Sequence, residues 1–439
     1  MHLAVGCDHR TFERLAIDMR NSIDALAGMK YGTHVSRVMA IPRYRRGGSP
    51  ALLSAGFRPF FLFGALWAAL AIPIWLTVFA GEFQLPSTLA PVIWHVHEMI
   101  FGYGAAVVAG FLLTAIPNWT GRMPLQDGPL AVLLGLWATG RFAVLLSAKL
   151  GPQTVAALDL AFPAVFAAVV AREVVRGRNW RNLPMLGALA LLFTGNLLVH
   201  LDALGLAATA EVGNRIGVAT LLMLISFVGG RIVPSFTRNW LTKERPEISA
   251  PATFSTIDRA ALAAVALALV AWAYDPDLAI APWLELLAGA AVGLRLARWR
   301  GQATVREPLL TILHIGYGWL ALGFLLLAAS SLVQMLPPTT ALHALTTGAI
   351  GTMTLAVMTR ASLGHTGRPL VAGRGTITIY LLVTVAAVLR LIAPIDAAHY
   401  ILLLDLAGAA WSGAFGLFVL LYGRALAQPR MIDRTGQPI

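Results

Sequence analysis

Cysteine is almost absent from this chain, since Cys7 is the one thiol among 439 residues. A single thiol excludes an intrachain disulfide, and it excludes metal sites built on paired cysteines. Charged residues are also scarce at 12% of the chain, which is about half of their share in soluble domains. Any metal or cofactor must therefore be held by histidine, methionine or carboxylate side chains in a largely apolar protein.

Apolar residues make up 58% of the chain and are grouped in long runs. A run of about 18–25 apolar residues can cross the hydrocarbon core of a bilayer as a helix. Twelve such segments are predicted, at 59–80, 91–116, 130–148, 154–171, 184–204, 214–234, 258–274, 280–297, 309–333, 341–360, 376–394 and 399–424. The predicted fold is an all-α, polytopic bundle of about twelve transmembrane helices.

Basic residues are unevenly divided between alternate loops. With the N-terminus in the cytoplasm, the outer side keeps four of the 33 Lys and Arg residues, namely Arg141, Lys149, Arg215 and Arg390. Cytoplasmic loops of membrane proteins carry such an excess of Lys and Arg. The pattern predicts a multi-pass membrane protein with both termini in the cytoplasm. It also accounts for the net charge of +12 without a nucleic-acid partner.

The two ends of the chain differ from its apolar part. Residues 1–50 are polar and basic and lack the apolar core of a signal peptide. They are predicted to be a disordered cytoplasmic tail, or a stretch upstream of the true start, for which Met39 is the candidate. Residues 51–428 form the predicted membrane domain, and residues 429–439 form a short cytoplasmic tail.

An internal repeat relates the second and tenth predicted helices. Six residues recur at a spacing of 246 positions: His97, Gly102, Ala115, Thr120, Gly121 and Arg122 correspond to His343, Gly348, Ala361, Thr366, Gly367 and Arg368. A weaker match, Asn118-Trp119 with Asn239-Trp240, lies midway. These matches predict three four-helix units in which helices 2, 6 and 10 are equivalent. The alternative is chance similarity within a chain of low complexity.

The second segment carries His95, His97 and Glu98 near its start. Ionisable side chains are costly inside a membrane and usually mark a functional site there. Neutral imidazole is a common metal ligand. Residues two positions apart on a helix point about 200° apart, so the two rings leave the helix on opposite sides and should not chelate one ion together. They would serve two different centres, or one would bind a cofactor while the other hydrogen-bonds a neighbour.

Further ionisable side chains are predicted at the same depth. They are His343 on helix 10, His200 and Asp202 at the end of helix 5, Arg141 on helix 3 and Arg390 on helix 11. His97 and His343, facing each other, would form an axial pair for a haem iron. The two arginines would then bind haem propionates. The competing interpretations are histidines that satisfy backbone carbonyls and arginines that reach for the interface.

Four motifs carry a resemblance to a known family. They are Gly56–Leu62, Trp94–Gly102, Gly110–Ala115 with Asn118–Gly121, and Thr366–Leu370. In these motifs the chain resembles the NnrS family of bacterial membrane proteins over residues 55–425. The resemblance implies a location in the bacterial inner membrane, haem and copper cofactors, and a role in nitric oxide metabolism and resistance to nitrosative stress. It does not imply a particular reaction.

The layout is also similar to the catalytic subunit of haem–copper oxidases. Those enzymes hold copper with histidines on helices 6 and 7, and the corresponding segments here contain none. Oxidase-type dioxygen reduction is therefore not expected. Copper would instead be held by His95 and His200, with Met99 as a soft ligand suited to Cu(I). Glu98 and Asp202 would orient these ligands or handle protons.

The residues and the resemblance together imply a membrane protein that binds haem and copper. Its expected partners are nitric oxide or nitrosylated metal species. A quinol or a soluble protein would supply electrons, and whether the chain is an enzyme stays open. One alternative is a proton-coupled transporter that uses the same His, Glu and Asp side chains. Another is a non-catalytic protein that hands metal or haem to a different complex.

Overall fold

A computed structural model describes residues 50–332 and 336–431 of the chain. Within these residues the regular structure is helical, and twelve helices follow one another. They are α1 Phe57–Phe79, α2 Pro91–Thr120, α3 Asp127–Leu145, α4 Pro152–Arg176, α5 Trp180–Ala203, α6 Ala210–Glu244, α7 Thr256–Tyr274, α8 Ala281–Ala297, α9 Pro308–Leu332, α10 Pro338–His365, α11 Arg374–Ile392 and α12 Ala397–Ala427.

Eleven of these helices are long and apolar enough to cross a membrane, and α8 is a further helix of 17 residues. The predicted all-α transmembrane bundle is therefore confirmed. Short helical turns at Ala51–Leu53, Ser147–Leu150 and Gly301–Thr304 lie between the long helices. The tails predicted at 1–50 and 429–439 fall almost wholly outside the described residues.

The helices α2, α6 and α10 share a local feature that the others lack within the described ranges. Each contains a π-helical segment, at Glu98–Gly104, Ile225–Gly229 and Ala344–Gly351 respectively. Such segments are rare and occur frequently at functional sites. The first and third begin at Glu98 and Ala344, which have the same 246-residue spacing as the sequence repeat. The structure therefore supports the equivalence of these helices.

The ends of α2 and α10 also match. Gly121 ends α2 in the left-handed region with φ +68°, and Gly367 follows α10 with φ +73°. Glycine is the residue that enters this region without a steric penalty, so it commonly terminates helices. The matching glycines of the sequence repeat thus have the same structural role.

Consecutive helices pack against one another, and α12 packs back onto α1. The helix α6 contacts both α2 and α10. In their most apolar windows, α2 and α10 are 72% and 67% buried, more than any other span of the described chain. The helices α2 and α10 therefore form the interior of the bundle, and side chains on them are the best shielded from lipid.

Arg295 of α8 makes hydrogen bonds to the π segment of α6 and to α7. Its Nη1 donates to the carbonyl of Ser226 at 2.9 Å and its Nε donates to Asp258 Oδ1 at 2.8 Å. Gly230 follows that π segment, and a Cβ atom at this position would overlap the Arg295 guanidinium. The absence of a side chain at Gly230 thus makes room for a buried, fully bonded cation.

The variant Gly230→Ala is expected to lower the free energy of unfolding by about 1–3 kcal/mol, because overfilling a packed interior displaces its neighbours. Thermal unfolding of the detergent-purified protein measures this loss. Gly293→Ala on α8 is the matched control, since no described atom lies within 4 Å of the added Cβ. An equal effect of both changes would show that Arg295 is not held tightly at α6.

Candidate functional site

Two sites lie at one end of the bundle, where α2 and α10 begin and where α5 and α11 end. We call this end of the bundle the histidine-rich end. The helix α2 separates them. His97 and Glu98 enter a network of buried polar side chains, whereas His95 lines a large cavity. The sequence spacing predicted that these two rings leave α2 on opposite sides, and they do.

The first site, called the polar cluster, consists of seven side chains from the helices α1 to α5. They are Trp67, His97, Glu98, Arg141, Asp159, Asn196 and His200. Apart from Trp67, which is 9% exposed, each is no more than 2% exposed. Buried polar groups of this density must be paired with one another, because water is excluded.

Asp159 of α4 is the centre of one half of the polar cluster. Its Oδ1 accepts a hydrogen bond from Arg141 Nη2. Its Oδ2 accepts from His200 Nε2 at 2.9 Å and from Asn196 Nδ2 at 2.8 Å. The Nε2 of His97 lies 3.2 Å from the same oxygen. Four side chains from three helices therefore converge on one carboxylate.

Glu98 of α2 is the centre of the other half. Its Oε2 accepts from Arg141 Nη1 and from Trp67 Nε1, both at 2.7 Å. Its Oε1 accepts from His97 Nδ1 at 3.0 Å. Arg141 thus bridges the two carboxylates, as a guanidinium does best with its fork of donors.

The charges of the polar cluster do not cancel by themselves. Two carboxylates and one guanidinium leave one negative charge, which a proton on an imidazole or a bound metal cation would balance. His97, Asp159 and His200 each offer a ligand atom, and these atoms lie within 4.8 Å of one another. The cluster is therefore a possible metal site, although its hydrogen bonds also satisfy the same atoms.

The second site, called the histidine cavity, has a volume of about 670 Å³. Its walls come from α1, α2 and the helices α6 to α12, so it shares no helix with the polar cluster except α1 and α2. Most of the lining is apolar, with Trp75, Tyr103 and Trp411 among the aromatic residues. Cavities of this size and character are typical of small-molecule and cofactor sites.

Two imidazoles, His95 from α2 and His343 from α10, face the histidine cavity. The ring of His95 stacks on Trp75 at 4.3 Å, and its Nδ1 has no hydrogen-bond partner among the described residues. The Nδ1 of His343 donates to the Thr339 carbonyl at 2.7 Å. A ligating histidine is commonly oriented by such a bond, which leaves Nε2 free for a metal.

Arg390 of α11 adds a positive charge to the wall of the histidine cavity. Its Nη1 atom is buried and lacks a partner in the described part of the chain. Because a buried guanidinium is costly unless it is paired, this atom is suited to an anionic group of a ligand. The cavity therefore offers two imidazoles, the unbonded Nη1 atom of Arg390 and an apolar wall.

Residues 51–430 match the family model described as NnrS protein. The chain belongs to the NnrS family. No curated protein matches it at a significant level. Membership confirms the resemblance carried by the sequence motifs and supports a membrane protein of the nitric oxide response.

In this NnrS-family chain the predicted haem ligands are divided between the two sites. His97 and Arg141 lie in the polar cluster, whereas His343 and Arg390 line the histidine cavity. The imidazole that shares a cavity with His343 is that of His95. The spacing of 246 residues identified equivalent helices correctly, but it did not specify which face of α2 looks toward α10.

The predicted copper ligands are divided in the same way. His95 and Met99 line the histidine cavity, and His200 belongs to the polar cluster. Asp202 lies in neither site, because its Oδ2 accepts from the backbone N–H groups of Thr209 and Ala210 at 2.8 and 3.0 Å. It therefore caps the start of α6.

Three members of the polar cluster were not among the predicted site residues, namely Trp67, Asp159 and Asn196. Asp159 had a usable signal, since it is an acidic residue inside the apolar run 154–171. A carboxylate inside a membrane helix marks a functional or paired site by default. Trp67 and Asn196 carry no such signal, because uncharged polar residues are common in membrane helices.

Proposed function

We propose that this chain is a haem-binding protein of the inner membrane and acts in the nitric oxide response. The observation that carries the proposal is the pair of imidazoles, His95 and His343, on opposite repeated helices of one cavity. Both rings are held in place, one by stacking on Trp75 and the other by its bond to the Thr339 carbonyl.

The lining of the histidine cavity fits a haem in three respects. Imidazole nitrogens are common ligands of haem iron. The apolar wall matches a porphyrin, and Arg390 offers an unpaired guanidinium nitrogen to a propionate. When bound, the haem would supply a redox-active iron that can bind nitric oxide. The protein itself would hold the imidazoles of His95 and His343 in place, pair a haem propionate with Arg390 and exclude bulk water from the site.

Orientation follows from the loop charges, and we infer that the histidine-rich end faces the periplasm. Both chain termini would then lie in the cytoplasm. Nitric oxide crosses membranes freely, so either face could receive it. A soluble donor of electrons, in contrast, would have to dock at the periplasmic end.

Copper is the second cofactor that we propose, and the polar cluster is its place. His97, Asp159 and His200 combine two imidazoles with a carboxylate, a set that suits divalent copper. A bound ion would compete with the hydrogen bonds that His97 Nε2 makes to Asn196 Oδ1 and that His200 Nε2 makes to Asp159 Oδ2. Elemental analysis should therefore find copper in the parent protein and lose it in His200→Ala.

Visible spectra of the detergent-purified protein test the haem proposal. We expect a Soret band with sharp α and β bands after reduction by dithionite, and a shift of these bands on addition of nitric oxide. Protein that is colourless after expression with ample haem and copper would overturn the proposal. The transporter interpretation, with the polar cluster as its proton-coupling site, would then explain the chain better. A substoichiometric, redox-silent haem would instead favour a protein that hands haem to another complex.

A further inference from the structure

A second group of polar side chains lies in the part of the histidine cavity formed by α6 to α9. Glu285 of α8 and Asn214 of α6 both line this part. Their side chains are 1% and 7% exposed, respectively. The Oε2 atom of Glu285 and the Oδ1 atom of Asn214 have no hydrogen-bond partner in the part of the chain that the structure describes.

The charged neighbours do not neutralise Glu285. Arg215, on the same wall as Asn214, lies 3.8 Å from Glu211 and donates to the carbonyl of Ala273 at 3.2 Å. Asp277, in the loop before α8, is acidic, and α9 contributes only the hydroxyl groups of Ser330 and Ser331 among its polar groups here. Among the described residues, Glu285 therefore has no ion-pair partner.

Trp272 and Leu327 complete this part of the wall with apolar surface. The wall thus presents two unsatisfied hydrogen-bond acceptors within a largely apolar surface. An unsatisfied buried acceptor destabilises the protein until a donor reaches it. The complementary ligand is an apolar ring molecule whose polar groups are donors, and which dissolves in the membrane.

We propose that this part of the cavity binds a membrane hydroquinone, with Glu285 and Asn214 as the acceptors of its ring hydroxyl hydrogens. A hydroquinone carries two hydroxyl donors on a flat ring, whereas its oxidised quinone carries acceptors only. The carboxylate of Glu285, which accepts hydrogen bonds but cannot donate them when ionised, therefore favours the reduced form over the oxidised one. The role of the bound hydroquinone as an electron donor rests on the proposed function, since a haem in the same cavity would accept its electrons. Binding of the hydroquinone does not itself require haem.

Equilibrium dialysis tests the site under anaerobic conditions with the full-length protein in detergent. The probe is a short-chain ubiquinol, compared with the corresponding ubiquinone. The parent protein is expected to bind the hydroquinone more tightly than the quinone. Glu285→Gln should weaken hydroquinone binding about tenfold or more and should reduce or reverse the preference, because the new amide can donate to a quinone carbonyl.

Glu211→Gln is the matched control. It makes the same substitution at another residue of the cavity wall, whose side chain is 84% exposed. It should leave both affinities within about twofold. If Glu285→Gln does not fold, Asn214→Leu decides, with loss of hydroquinone affinity expected. Absence of saturable binding, or equal binding by the parent protein and the folded variant, overturns the inference.

The two proposals fail in different ways. If the protein is colourless but still binds hydroquinone more tightly than quinone, the hydroquinone site stands and the haem proposal fails. Protein with haem that binds neither form of the probe would keep the haem and remove this site. Dialysis of protein from haem-deficient cells gives the comparison directly.

Discussion

Protein carrying His343→Ala is expected to purify with almost none of the Soret absorbance of the parent, and His95→Ala should behave in the same way. Each change removes one of the two imidazoles that face the histidine cavity. Loss of a metal-ligating side chain usually abolishes a site, because nothing else in an apolar wall can replace it. Haem per polypeptide, measured on the monodisperse fraction from gel filtration, gives the answer.

The matched control is His97→Ala, which lies on the same turn of α2 but points into the polar cluster. It should retain haem. Added imidazole should restore the spectrum of His343→Ala, as it would not if the change merely unfolded α10. The opposite pattern, with haem lost in His97→Ala and kept in His95→Ala, would contradict the assignment. It would instead support His97 and His343 as the haem ligands, as the sequence predicted.

The largest loss of stability is expected from Arg141→Met. This change leaves Glu98 and Asp159 buried without the guanidinium that bridges them. Removing one partner from a buried ion pair costs about 3–5 kcal/mol, because the remaining charge has neither water nor a counter-ion. Thermal unfolding in detergent, followed by gel filtration after heating, should show a clear fall in midpoint.

A compensated variant separates charge from packing. Combining Arg141→Met with Glu98→Gln and Asp159→Asn removes all three formal charges and should recover much of the lost stability. Arg215→Met is the control for a partly exposed arginine, because its nearest carboxylate, on Glu211, is 3.8 Å away and 84% exposed. Such pairs contribute about 0–1 kcal/mol. Equal midpoints for Arg141→Met and Arg215→Met would refute a buried ion-pair network around Arg141.

The bundle itself was predictable because each helix must satisfy its own backbone in lipid, and this requirement leaves long apolar runs in the sequence. The sequence repeat agrees with the structure at α2 and α10, since a π segment begins directly after His97 and directly after His343. The helix ends were less accurate. The helix α6 extends to Glu244, ten residues past the predicted boundary, because its last turns carry polar residues outside the apolar run.

The composition of the two sites was not predictable from helix geometry alone. The angular rule separated His95 from His97 correctly, but it could not tell which of them faces α10. That choice depends on how α2 is rotated against the helices packed around it, among them α1, α3, α4 and α6. In addition, π segments break the regular angular step directly after His97 and His343. Spacing therefore identified the right helices and left their orientation undetermined.

The position of α2 between the two sites has a thermodynamic consequence. His95 and His97 belong to one rigid helical turn, so a ligand that rotates this turn through His95 also moves His97 against Asp159 and Asn196. Any resulting coupling free energy is reciprocal, because the affinity change at one site must equal the change that the other site exerts in return. Ligand binding in the histidine cavity would then change the affinity of the polar cluster for protons or metal. A change in the charge of the polar cluster would in turn change the affinity of the cavity for its ligand.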